Sequence, residues 1–380
     1  MTTRDNTQVA IVGCGFVADL YMTTLPALED VTIAGVFDID AARLQAFSSH
    51  YRLRCYRSLD EILADPNVGL VLNLTNPRAH YDVSTRCLEA GKHVYSEKPL
   101  AMDFADAQKL VSLAAARGLL ISSAPCSLMS TAAQTLWHAV RNKPLGDIRL
   151  VYAELDDGMV HRMQFRKWVS ASGAPWPYKD EFEVGCTLEH AGYYLGWLIA
   201  MFGPVTTVTA YADCLIPDKL HGEALHPPDT PDVSIGILKF ESGVVARLST
   251  SIIAAHDHRI RLFGDDGVIE VDDCWFNEAP VYLRRSHTIR RKTFLSPLRR
   301  RYRVASQSRR KAKAFGAASM DFCLGITDMV AAIRERRQCY LSPEFSLHVN
   351  EVALALSNAS RSPGVHRTLS RFTAPQPLLP

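Results

Sequence analysis

The chain has 380 residues, a mass of 42.2 kDa, 47% hydrophobic and 22% charged residues, and a formal net charge of +2. That balance excludes a disordered chain, and the length predicts two domains whose cores need neither disulfide nor metal staples. Nine cysteines, Cys14, Cys55, Cys87, Cys126, Cys186, Cys214, Cys274, Cys323 and Cys339, stand singly with no C-x-x-C pair, and no apolar signal core opens the chain. A reducing, cytoplasmic setting is expected, and no apolar run approaches the roughly 20 residues of a membrane span. The small net charge conceals an asymmetry: thirteen Lys or Arg and no Asp or Glu lie between Arg284 and Lys313, leaving 29 basic against 40 acidic residues elsewhere.

Gln8 to Val12 reads as a strand that stops at Gly13-Cys14-Gly15-Phe16-Val17-Ala18, ahead of a helix-compatible stretch from Asp19 to Leu28. In a G-x-G-x-x-A turn, Gly13 permits a tight reversal, Gly15 lets a pyrophosphate approach the backbone, and small Ala18 brings helix and strand together. The first-turn N–H groups, at Phe16 and Val17, and the helix dipole then face the phosphates. A second strand, Val31 to Phe37, ends at Asp38, twenty residues after Ala18. A carboxylate there accepts hydrogen bonds from both adenosine ribose hydroxyls and repels a 2′-phosphate, so NAD is expected as cofactor ahead of NADP. Arg43 either softens that preference or is solvated on a helix beginning near Asp40.

The alternation continues with helix Asp40 to Ser49, short strand Leu53 to Tyr56, helix Leu59 to Ala64, strand Val68 to Leu74, helix Arg78 to Gly91, strand His93 to Ser96, helix Ala105 to Arg117 and strand Leu119 to Ser123. This rhythm predicts an α/β, doubly wound parallel sheet of Rossmann type over residues 1–125. Ligands bind beyond the carboxyl ends of such strands, which selects Thr75, Asn76 and Pro77 with His80, and Glu97 and Lys98 before Pro99.

Together, Gly13-x-Gly15-x-x-Ala18, Asp38, Asn76-Pro77-x-x-His80 and Glu97-Lys98-Pro99 resemble the glucose-fructose oxidoreductase, inositol dehydrogenase and rhizopine-catabolism (Gfo/Idh/MocA) family of NAD(P)-dependent sugar oxidoreductases. The resemblance is dense over residues 8–125 and rests on element order from 126 to 360. It implies that Lys98 lies beside the nicotinamide and the substrate hydroxyl. The chemistry agrees: taking hydride from C–OH requires the hydroxyl proton to leave, so an acceptor must lie about 3 Å from that oxygen. A lysine desolvated beside a cationic ring has its ammonium disfavoured.

The family's second catalytic motif is an acidic residue followed four positions later by histidine or, in some members, tyrosine. Glu189-His190-Ala191-Gly192-Tyr193 occupies that place, with glutamate for aspartate and tyrosine for histidine. Glu189 and Tyr193 share one helix face, whereas His190 points about 100° away. Tyr193 ranks first as acid-base or orienting partner of Lys98 and His190 second, against a Tyr193 that simply packs in the core.

From Ile148 the texture changes to strands, Ile148 to Leu155, Val205 to Ala212, Asp232 to Phe240, Val244 to Ile253, Arg259 to Phe263 and Val268 to Val271, with hairpin turns at Glu241-Ser242-Gly243 and Asp265-Asp266-Gly267. They predict a C-terminal α+β domain over 126–360 with a large, mostly antiparallel open sheet for substrate binding and oligomerisation. By resemblance such sheets pair in dimers or tetramers, so a homo-oligomer is expected. Helices Met320 to Arg334 and Pro343 to Ala359 should pack back toward the first domain, and the Pro-rich tail, 361–380, reads as loosely held. Arg166, Trp168 and Trp176, in the loop before the catalytic helix, either cover the C–H faces of a hydroxylated, anionic ligand and hold its charge or merely seal the domain junction.

His256-x-His258 puts two imidazoles on one side of a strand, but no third ligand is spaced to join them, so no metal is expected. The basic run 284–313 reads first as a solvated, partly disordered insertion and second as a patch for an anionic partner; Phe294 and Tyr302 are too few for base stacking, which disfavours nucleic acid. The leading functional expectation is an NAD-dependent oxidoreductase acting on a secondary hydroxyl or ketone of a sugar, cyclitol or nucleotide-linked sugar. A non-catalytic dinucleotide-binding regulator, and NAD-dependent elimination or glycosidic cleavage through a transient ketone, are the alternatives.

Overall fold

A computed structural model of the chain describes residues 6–304 and 319–379, which pack as two compact units. The first runs through Cys126 and takes in Gln164–Val184 and Phe322–Asn350; the second holds Ser127–Met163, Gly185–Asp321 and Glu351 onward. The units are therefore not the contiguous stretches 1–125 and 126–360 suggested by the texture of the sequence.

In the first unit, β1 (Thr7–Val12), β2 (Val31–Phe37), β3 (Val68–Asn73), β4 (His93–Ser96) and β5 (Ile121–Ser123) form a parallel sheet in the order β2-β1-β3-β4-β5. Between them run α1 (Phe16–Tyr21), α2 (Ala41–Tyr51), α3 (Leu59–Ala64), α4 (His80–Glu89) and α5 (Phe104–Ala116). Strand order reverses beside β1, so the carboxyl ends of β1 and β3 form the switch point at which such sheets bind ligands. The central strands β1 and β3 are buried along most of their length, which is why their sequences are nearly continuous apolar runs.

Three sequence expectations change here. Leu53 to Tyr56 is no strand: one bridge joins Cys55 to Val36 before the chain turns to the Ser58 cap of α3. The first helix starts at Phe16 and stops at Tyr21, because Thr23, Thr24 and Pro26 lead into a 3-10 turn at Leu25–Ala27. The helix expected from Arg78 begins as a 3-10 turn at Pro77–Ala79, where the Asn76 side chain accepts the Ala79 N–H.

The segment 164–184 joins this unit through Asp19, whose carboxylate accepts hydrogen bonds from the Ser172 N–H and hydroxyl at 3.0 and 2.7 Å. Arg78 adds an ion pair to Glu183 at 2.9 Å, on the short helix α7 (Tyr178–Val184). The helix α9 (Leu324–Glu335) buries Ile326, Met329 and Val330 in one core with Tyr21, Leu25 and Val36.

In the second unit, described strands β6 (Ile148–Asp156), β7 (Val205–Asp213), β8 (Val233–Phe240), β9 (Val245–Ser251), β10 (Ile260–Gly264), β11 (Gly267–Val271), β12 (Val281–Ile289), β13 (Lys292–Leu295), β14 (Arg300–Tyr302) and β15 (Val365–Arg367) make one sheet, antiparallel except where β6 runs parallel to β9. Two helices, α6 (Thr131–Asn142) and α8 (Cys186–Phe202), cover one face. Apolar nearly all round, α8 is buried along most of its length, as such a composition requires. The helix α10 (Pro343–Ser357) begins in the first unit and ends in the second.

The basic run is a folded part of this sheet as far as Arg303. β12 to β14 carry it, Arg284 lies 3.4 Å from Glu270, and Arg299 pairs with Asp272 at 2.8 Å while covering the Tyr282 ring. The remainder of the run, from 305 to 313, lies outside the described residues. Nor is the tail loose. β15 pairs with β7, and Glu351 accepts the N–H groups of Leu369 and Ser370 at 2.7 and 2.9 Å, a non-local partner invisible in the tail's own composition.

Candidate active site

Most of the predicted cofactor residues of the first unit stand at the carboxyl ends of β1 to β4. Gly13 sits at φ +98°, and a Cβ there would lie 2.4 Å from the Leu74 carbonyl oxygen, so only glycine lets the turn pass this close to the end of β3. Gly15, the N-cap of α1, has φ −78° and nothing within 4 Å of an added Cβ: the space beside it is open. Phe16 and Val17 begin α1, and Ala18 is fully buried at the crossing with the sheet. The Asp38 carboxylate is buried, one oxygen accepting the Cys14 N–H and the other the Asp40 N–H, each at 2.8 Å. Two of its roughly four lone-pair positions remain for ribose hydroxyls. Arg43 approaches Asp38 at 3.5 Å from a partly exposed position. Burial and Asp38 push the Cys14 thiol up, so it stays protonated.

After β3, Thr75 is held by Asn73, a buried residue that sequence reading missed. Its side-chain oxygen accepts the Thr75 hydroxyl at 2.6 Å, and its amide donates to the His80 carbonyl and the Ser84 hydroxyl. His80 is wholly buried, its ring set between the Pro99 carbonyl at 2.7 Å and the Thr75 carbonyl at 3.1 Å. It thus ties the loop that follows β3 to the loop that carries Lys98.

Glu97 is buried too. Its carboxylate accepts the Tyr21 hydroxyl at 2.6 Å and the Lys98 N–H at 3.1 Å, fixing the backbone of half-buried Lys98 to the end of α1. Burial and this carboxylate hold the Tyr21 phenol well above its ordinary value, so it remains a donor. Replacing Tyr21 with Phe leaves Glu97 buried without that donor. A stability loss of about 1–3 kcal/mol in urea unfolding is expected, and an unchanged midpoint would show that the bond adds nothing net.

The loop residues expected at the substrate belong to the first unit. Phe165 is buried among Trp176, Tyr178 and Phe182; Trp168 packs on Trp176 at 5.0 Å; and Arg166 donates to the Tyr178 hydroxyl at 2.8 Å.

In the second unit Glu189, His190 and Tyr193 lie in the first half of α8, as expected, with Glu189 and Tyr193 buried and His190 half-buried. Trp275 brings them a neighbour that the sequence did not suggest: its ring lies 5.6 Å from His190 and 5.7 Å from Tyr193. His256 and His258 do face one side, their rings 4.0 Å apart. The absence of a third ligand in their vicinity, expected from spacing, is corrected by Asp157, which arrives from just beyond the end of β6. Its second oxygen lies 3.8 Å from His190 Nε2, and burial pushes its carboxyl up to about 6 against the pull of His258.

Residues 7–124 match the family described as "Oxidoreductase family, NAD-binding Rossmann fold", and residues 133–270 match the GFO/IDH/MocA C-terminal domain. The chain belongs to the GFO/IDH/MocA family. It is an NAD(P)-binding oxidoreductase, a dehydrogenase or reductase of CH–OH groups. It is similar to trans-1,2-dihydrobenzene-1,2-diol dehydrogenase of Bos taurus, 25% identical over 70% of this chain and 74% of that one. Myo-inositol 2-dehydrogenase of Thermotoga maritima is 23% identical over 78% and 84%. Among solved structures, the WlbA dehydrogenase from Bordetella pertussis, in complex with NADH and UDP-GlcNAcA, superposes with a TM-score of 0.71 at 17% identity, covering 96% of this chain and 99% of that chain. Among the described residues no helix is long and apolar enough to cross a membrane.

Proposed function

We propose that this GFO/IDH/MocA protein moves a hydride between NAD and a secondary hydroxyl or ketone of a sugar, cyclitol or nucleotide-linked sugar. The observation that carries the reading is the shared sheet edge: the amine-bearing loop at Lys98, fixed through Glu97, ends a strand of the same sheet whose other ends present open Gly15 and acidic Asp38. That cradle fits a dinucleotide. Gly15 leaves room for a pyrophosphate, and Asp38 keeps acceptor capacity for a ribose. Bound there, the cofactor supplies the hydride-accepting ring.

Lys98 takes the proton from the substrate hydroxyl during oxidation and returns it during reduction. Tyr193 is the acid-base or orienting residue of the second unit in this proposal, with His190 as the second group on the same helix. Arg166, Trp168 and Trp176 contribute stacking area and positive charge to the substrate. The sugar-like class is supported by the inositol and nucleotide-sugar dehydrogenases to which the chain is similar. The test is a purified-protein assay over sugars, cyclitols and UDP-sugars with NAD, read by NADH formation; no turnover across that panel in either direction defeats the reading.

Asp38 supports NAD over NADP. Asp38→Ala removes two charge-assisted ribose contacts and the repulsion of a 2′-phosphate, while Arg43 stays in place. NADH affinity should fall by at least about 10-fold and the NADH to NADPH affinity ratio should collapse, measured by fluorescence titration. An unchanged ratio would show that Asp38 does not read the ribose.

A homo-oligomer is part of this proposal. β7 and β8 leave Tyr211, Ile235 and Ile237 exposed on one sheet face, an apolar surface suited to a second copy. Sedimentation of the full chain as a monomer at micromolar concentration would remove it.

A further inference from the structure

The second unit holds a cluster that the hydride-transfer reading does not use. Asp157, His256 and His258 each place one ligand atom within 4.8 Å of the others. They come from segments locked by bridges between Asp156 and Asp257 and between His258 and Asp273, so the grouping is set by sheet architecture. His258 is 1% exposed, yet neither of its ring nitrogens makes a hydrogen bond. Each nitrogen instead faces a carboxylate oxygen at ion-pair distance, which leaves the ring's bonding capacity incompletely used.

The orientation indicates what completes it. His258 Nε2 faces Asp157 Oδ1 at 3.7 Å, while Nδ1 faces Asp273 Oδ1 at 3.4 Å. A histidine that gives one nitrogen to a metal ion commonly turns the other to an outer carboxylate, which fixes tautomer and ring direction. The exposed ring of His256 completes a set of two imidazoles and one carboxylate, the donors of zinc and related divalent ions. Asp157 and Asp273 also bring two carboxylates to the cluster, while the nearby Arg259 guanidinium is engaged by Asp257.

We propose that Asp157, His256 and His258 bind a divalent first-row transition ion, with Asp273 positioning His258. Side-chain rotation closes the present spread onto bonds of about 2.0–2.2 Å. Three protein ligands leave one position open in a four-coordinate site and two in a five-coordinate one, and His190 of α8 lies 3.8 Å from Asp157. Two adjacent oxygens of a substrate, a vicinal diol or an α-hydroxy carboxylate, suit the two positions of a five-coordinate ion. This substrate role rests on the proposed hydride transfer; ion binding itself does not.

The experiment is Zn2+ titration of the EDTA-treated full chain by calorimetry, with Co2+ as a spectroscopic probe, in the absence of cofactor and substrate. One equivalent should bind, with visible d–d bands and no thiolate charge-transfer band. Affinity should fall by at least about 100-fold in His256→Ala and His258→Ala and by about 10–100-fold in Asp273→Asn. Exposed His256 can be removed without disturbing the core, and retained NADH binding by each variant confirms an intact first unit. No stoichiometric binding by the wild type, binding unaffected by His256→Ala, or a cobalt spectrum of sulfur ligation would overturn the site. None of these readouts depends on turnover, so a failed Lys98 test and a failed metal test are distinguishable.

Discussion

Lys98→Ala should lower turnover by at least about 100-fold while leaving NADH affinity within a few-fold of wild type. The split follows from where each function resides. In the proposed reading the glycine turn and Asp38 hold the dinucleotide, whereas Lys98, just beyond the end of β4, is the base for the substrate hydroxyl. Because the base must be unprotonated to accept a proton, the wild-type rate of alcohol oxidation should rise with pH, and that rise should vanish in Lys98→Ala. Lys98→Arg should be nearly as impaired, since a guanidinium keeps its charge and its proton. Full turnover in either variant would remove Lys98 from the mechanism.

Gly13→Ala should damage both folding and cofactor binding. At φ +98° an alanine is strained by about 1–3 kcal/mol before any contact is counted. Its Cβ would also meet the Leu74 carbonyl oxygen at 2.4 Å and the Thr75 nitrogen at 2.8 Å, backbone atoms of the very loop that carries Thr75 and Asn76. The turn must move, and the expected result is a lower thermal midpoint together with a loss of NADH affinity of about 100-fold or more. Gly15→Ala is the instructive companion. Its backbone is ordinary and the added methyl meets nothing within 4 Å, so the protein should melt as wild type does, yet the methyl occupies the approach to the phosphates and binding should fail. Normal cofactor binding by both variants would show that this turn is not the phosphate site.

The site was legible where its chemistry is written in consecutive residues. A strand, a glycine turn and a helix follow one another, and Asp38 stands at the distance that one βαβ step requires, so local sequence specified both turn and carboxylate. Lys98 could be placed because it follows a short strand and because Glu97-Lys98-Pro99 resembles the family's signature. The supports of these residues were not legible. Tyr21 and Glu97 meet across two elements, Asn73 looks like any strand residue, and Asp19 captures Ser172 from a segment far along the chain. Each is a polar group whose role depends on a partner brought by folding, and spacing carries no signal of that partner.

By itself, then, the sequence determined the fold classes of both domains, the glycine turn, the acidic end of β2, the amine after β4 and the helix bearing Glu189, His190 and Tyr193, because hydrophobic period and turn chemistry are local properties. Only the tertiary structure decided that 164–184 and 322–350 pack with the first unit, that the basic run extends a sheet as far as Arg303, that the tail is clasped by Glu351, and that Asp157 joins His256 and His258. Those outcomes depend on which distant surfaces bury one another and which buried polar groups must then find partners, a competition settled in three dimensions.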